Sequence, residues 1–143
     1  MPLPPFEPSG DVPEGLHQAD VAEFLARFGS GTPPRERVAA RLLQACGLIR
    51  PLGVISRVIV WGSFVTAKPE PADADILWVT LPILDRHRVP VQRDVLLDPV
   101  VAKHLYGIDV LSIPEGSASL ATLLDGLSVT RACTKRGLVE VRW

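Results

Sequence analysis

The sequence predicts an α/β fold in a single small domain, and three observations carry that reading. The chain has 143 residues, 47% hydrophobic and 22% charged, enough apolar material for one core and too little length for two. Two β-branched apolar runs, Arg57 to Trp61 and Ile76 to Val79, flank a polar loop, and a third run, Ile108 to Ile113, follows them. Such runs bounded by turn residues read as buried strands, while the segments before and between them place apolar residues at helical spacing.

In chain order, residues 1–15 hold five prolines and two glycines, which forbid a regular helix and favour an extended arm lying over a domain of residues 16–143. His17 is expected near a helix start, hydrogen-bonded to backbone. A short amphipathic helix begins at Asp20, with Val21, Phe24, Leu25 and Phe28 as core residues and Gly29 as its stop. Ser30-Gly31-Thr32 leads into a second helix, capped by Thr32 with Pro33 in the first turn. Its apolar face is Val38, Leu42, Leu43, Cys46 and Ile49, and Arg35, Glu36, Arg37 and Arg41 read as a solvated face. Pro51 and Gly53 end it, and the first strand starts near Val54.

After Val79, residues 80–99 read as irregular, with Pro82, Pro90, Pro99 and the basic residues Arg86, His87, Arg88 and Arg93. That composition suits a surface connection or a loop over a site. Asp98-Pro99 opens a short helix through His104. A tail helix capped by Ser117 or Ser119 runs through Leu124 and stops near Gly126. Leu127 to Cys133 and Leu138 to Val141 then read as two strands joined at Thr134-Lys135-Arg136-Gly137. Arg131, Lys135 and Arg136 are turn charges, solvated or facing a nucleotide or an acidic partner.

A net charge of −1 gives no basic field, which argues against strong non-specific nucleic-acid binding. Cys46 and Cys133 lack CxxC spacing and are expected to be free, buried thiols. With no basic segment and apolar core after Met1, and no run of transmembrane length, the expected setting is a bacterial cytoplasm without membrane contact.

The chemistry concentrates between the first two strands. Asp73 and Asp75 stand one residue apart at the start of an apolar run; in a strand they would point to one face with Cα atoms roughly 6–7 Å apart. Like charges so placed call for a cation, and Mg²⁺ (or Mn²⁺) suits carboxylates working with substrate phosphates. Gly62 permits close approach of a phosphate, Ser63 offers a hydroxyl and an amide, and Lys68 offers a point charge to a triphosphate. Asp109 is the one charge inside the third run, costly there without a partner.

Gly62-Ser63, nine residues, then Asp73-Ala74-Asp75 resembles the signature of the polymerase-β-like nucleotidyltransferase superfamily. The stretches Val12 to His17, Glu23 to Gly29 and Gly62 to Lys68 are similar to a bacterial family of small uncharacterised nucleotidyltransferase-like proteins. The resemblance implies the nucleotidyltransferase fold, a small mixed β-sheet with helices packed mainly on one face. It implies a third carboxylate on the strand beside Asp-x-Asp, matched by Asp109. With Asp73 and Asp75 it would make a catalytic site for two metal ions roughly 4 Å apart, with Asp109 as base. The implied activity moves a nucleoside monophosphate from an NTP to a hydroxyl. Small bacterial members act on antibiotics, proteins or RNA, several within toxin–antitoxin pairs, so a protein or RNA acceptor is expected. The chain departs from the commonest minimal pattern, which has a basic residue soon after Gly-Ser; here Phe64-Val65-Thr66 intervene before Lys68. It also lacks room for the helical domain that often clamps base and acceptor. The alternative is therefore a non-catalytic nucleotide-binding or partner-binding module on the same scaffold, with a homodimer or partner protein completing it.

Overall fold

A computed structural model describes residues 2–82 and 95–143. Its elements are β1 (Leu16–Asp20), α1 (Val21–Phe28), α2 (Pro33–Ile49), β2 (Ile55–Trp61), β3 (Asp75–Thr80), α3 (Pro99–Tyr106), β4 (Asp109–Pro114), α4 (Leu120–Leu127) and β5 (Leu138–Arg142). The strands form one sheet in the order β1-β5-β2-β3-β4. β1 with β5 and β3 with β4 run parallel, while β2 is antiparallel to both β3 and β5, so the sheet is mixed.

Strand alternation divides the apolar residues between two layers. Val58, Val60, Ile76, Trp78, Val110, Val139 and Val141 pack with Phe24, Phe28, Leu42, Ile49 and Ala102 of α1, α2 and α3. The opposite parity, Ile59, Leu77, Val79, Ile113 and Leu138, is covered by Leu120, Leu123, Leu124 and Leu127 of α4. Three of the four described helices therefore lie on one face, an α/β arrangement in a single domain. Among the described residues no helix is long and apolar enough to cross a membrane.

The helix starts follow local chemistry. Asp20 accepts the Glu23 amide at 2.8 Å, Thr32 accepts that of Arg35 at 3.4 Å, and Asp98 accepts those of Val100 and Val101 at 3.0 and 3.3 Å. The arm is tied down along its length: Leu3 and Val12 are buried, and the Phe6 ring meets Phe28 at 6.0 Å.

Several expectations need correction. His17 lies in a strand, β1, whose parallel partner β5 is at the far end of the chain; its ring nitrogen is bonded to the Pro13 carbonyl at 2.7 Å, as a backbone-bound histidine. Leu127 to Cys133 is no strand. α4 runs to Leu127, and the chain then folds on itself through Thr130 N–H to Thr134 O (2.8 Å) and Cys133 N–H to Thr130 O (3.0 Å), with Cys133 at φ 60°. With Arg136 N–H to Ser128 O (2.9 Å) they close a single antiparallel bridge, Val129 with Lys135, within the segment itself, so it does not pair with Leu138 to Val141. Cys133 is exposed, whereas Cys46 is buried and burial pushes its thiol up to about 12. Leu43 is exposed rather than core. Ser119 stands before α4 without a side-chain cap. Arg35 is buried, not solvated. The basic residues Arg86, His87, Arg88 and Arg93 lie outside the described residues.

Candidate metal centre

β2 ends at Trp61, which pairs with Asp75, and Asp75 pairs in turn with Asp109 across the parallel β3/β4 ladder. Register alone thus sets two carboxylates side by side. Asp73 precedes β3 rather than lying in it. It is held near by the buried Ala74, whose carbonyl accepts the Asp109 amide at 3.0 Å. One carboxylate oxygen from each of Asp73, Asp75 and Asp109 lies within 4.8 Å of the others.

Gly62 is required by this geometry. Its φ is +79°, and a Cβ there would overlap Oδ2 of Asp75 and stand 3.0 Å from its Cγ. Ser63 begins the following helical turn, Ser63–Val65. Below it, the Arg35 guanidinium donates to the carbonyls of Phe28 (3.0 Å) and Phe64 (2.8 Å) and to those of Thr66 and Lys68. This buried arginine fixes the loop that carries the glycine-serine pair.

The centre opens into a cleft of about 880 Å³ lined by Gly62, Ser63, Lys68, Asp73, Asp75 and Asp109, and also by Ser9 and Asp11 of the arm and Arg131, Thr134 and Arg136 of the tail. All six residues singled out in the sequence therefore face one cavity. Lys135 does not line it and pairs with Asp125 at 2.8 Å. Two buried donors in the cleft wall, Trp61 Nε1 and Arg136 Nε, have no hydrogen-bond partner.

Lys103, on the last turn of α3, is the residue that sequence reading missed. Its Nζ donates to Asp109 Oδ2 at 2.9 Å and to Asp73 Oδ2. No spacing rule links it to residues 30 and 6 positions away; the only signal is that Asp98 and Gly107 fix where its helix begins and ends. Hydrogen bonding to Asp73, then to Asp109, holds its ammonium above the usual lysine range. Asp75 does not share that contact. Burial, then the charges of Asp73 and Asp109, push its carboxyl up to about 7. The cluster thus carries more negative charge than one ammonium balances, in an all-oxygen donor set whose spacing a hard cation with bonds of about 2.0–2.6 Å can bridge. Asp73, Asp75 and Asp109 could together hold a metal ion.

No curated protein and no solved structure matches the chain. A family match spans residues 4–142, and the chain belongs to that family, the family of unknown function DUF6932.

Proposed function

We propose that this protein is a metal-dependent nucleotidyltransferase on the polymerase-β-like scaffold, moving a nucleoside monophosphate from an NTP to a protein or RNA hydroxyl. The observation that carries the reading is the convergence of Asp73, Asp75 and Asp109 in the cleft that Gly62 and Ser63 also line. A bound Mg²⁺ or Mn²⁺ would supply positive charge to the transferring phosphoryl group. The chain's own residues do the rest. Gly62 lets the Asp75 carboxylate lie against the turn, Ser63 offers a phosphate its hydroxyl, and Lys68 and Arg131, both exposed in the cleft, offer charge. Asp109 has the more exposed of the two carboxylates that Lys103 holds, 44% against 25% for Asp73, so it can meet an incoming hydroxyl and take its proton. The hydroxyl oxygen then bonds to the α-phosphorus as the bond to pyrophosphate breaks.

One observation favours a second reading, a non-catalytic nucleotide- or partner-binding module: Lys103 already neutralises part of the cluster without metal. A second copy or a partner protein, as in toxin–antitoxin pairs of a bacterial cytoplasm, would then be the ligand. Calorimetric titration of ATP, GTP, CTP and UTP with and without Mg²⁺, on wild type and Asp73→Ala, separates the two. Binding that needs Mg²⁺ and weakens at least ~100-fold in the variant, the loss of more than 2.7 kcal/mol, is the expected result. Failure to bind any triphosphate would overturn the transferase reading in favour of the module.

A further inference from the structure

We propose that the Lys103 ammonium is the resident counter-ion of the carboxylate cluster, and that a divalent cation binds only by displacing it, so that Lys103 sets the affinity of the site for metal. The inference rests on the metal-site reading above and deepens it.

Asp98 caps α3, and Gly107, at φ 66°, closes it by donating its amide to the Lys103 carbonyl at 3.0 Å. The lysine backbone is thereby fixed within one side-chain length of the β3 and β4 starts. Nζ reaches Oδ2 of both Asp73 and Asp109, two of the three carboxylates whose oxygens converge. Asp73, Asp75 and Asp109 would hold a cation through two carboxylates that the ammonium already occupies, and two cations so close repel strongly. Only one of them can sit there. The way out is open, since the Lys103 side chain is 47% exposed and can turn to water by rotamer change, without disturbing a core. Charge favours the exchange: one ammonium is bonded to two carboxylates, with Asp75 beside them, and a divalent ion neutralises the cluster more fully.

The test uses Mn²⁺ alone as probe, by calorimetry, with thermal unfolding of the same proteins: wild type, Lys103→Met, Lys103→Arg and Asp73→Asn. Without metal, Lys103→Met should melt about 2–4 °C lower, the scale of a partly exposed ion pair in a domain of this size, and Mn²⁺ should restore it. Its Mn²⁺ affinity should rise about two- to fivefold, the worth of the competing pair, while Lys103→Arg binds as wild type does. An affinity in Lys103→Met equal to or below wild type overturns the exchange and leaves the metal centre standing, provided Asp73→Asn abolishes binding. Mn²⁺ binding by no protein, or binding untouched by Asp73→Asn, overturns the metal centre and the inference with it. Should Lys103→Met not fold, Lys103→Gln carries the same comparison.

Discussion

Asp75 is the residue whose environment is least compensated. Folding raises its carboxyl from 3.8 to about 7, so between those pH values the folded protein holds a proton that the unfolded chain has released. Stability without metal therefore falls as pH rises through that window and is lowest above 7. Asp75→Asn removes the charge at nearly constant shape. It should stabilise the metal-free protein at pH 8 by about 1–2 kcal/mol, the full shift being discounted for solvent screening of a partly exposed group. The advantage should vanish near pH 4; urea titrations at the two pH values would show it, and an equal gain at both would mean the carboxylate is not strained. Gly62→Ala acts on the same residue from the other side. Its Cβ would drive Asp75 out of place and hold a side chain at φ +79°, so loss of metal binding is expected with the fold retained, by calorimetry and circular dichroism. These residues were legible because Gly62, Ser63, Asp73 and Asp75 bracket one loop. Lys103 was not, because its meeting with Asp73 and Asp109 depends on how α3 packs beside β4, which no local pattern encodes.

Among the elements, α2 does more than cover the sheet. Its buried Arg35 donates to four backbone carbonyls, three of them in the residues 64–68 that follow the glycine-serine pair, and its guanidinium stands 5.5 Å from the centre of the Phe64 ring. Arg35→Met keeps the aliphatic stem and removes the donors, leaving buried acceptors unpaired. The cost should be about 2–4 kcal/mol in urea unfolding, with looser triphosphate binding as the loop carrying Ser63 and Lys68 relaxes. A charge in the first turn of a helix reads as solvent-facing by default, so this role was hidden until Phe64 and Thr66 were brought beneath it. Elements with their own caps, α1, α2 and α3, were readable from Asp20, Thr32 and Asp98. β1 was not. The last of its five residues, Asp20, is itself the helix cap, and its pairing with β5 joins opposite ends of the chain, a non-local contact with no signature in either segment.

Residues 2–15 close the described fold. Leu3 is buried, its amide donates to Glu23 at 2.7 Å, and Arg27 answers with bonds to the Pro4 and Leu3 carbonyls at 2.9 and 3.1 Å. Further along, Gly10 and Val12 accept amides from Ala67 and Gly137 at 2.8 and 2.7 Å. The arm therefore joins α1, the loop after β2 and the start of β5, and it brings Ser9 and Asp11 to the cleft. The carboxylates themselves stand on β3, β4 and the residue pair before β3, in the half of the sheet away from β1. Fold closure and the proposed metal binding should thus be separable. Leu3→Ala with Phe6→Ala should remove the arm's apolar anchors and lower stability by about 3–5 kcal/mol, the range for emptying one buried and one half-buried site. Mn²⁺ affinity at low temperature, where the variant is still folded, should stay within about twofold of wild type, below 0.5 kcal/mol. A metal affinity that collapsed with the arm would instead place the arm among the supports of the carboxylates, and would make the cleft one cooperative unit rather than a carboxylate cluster set in the sheet with a wall laid over it.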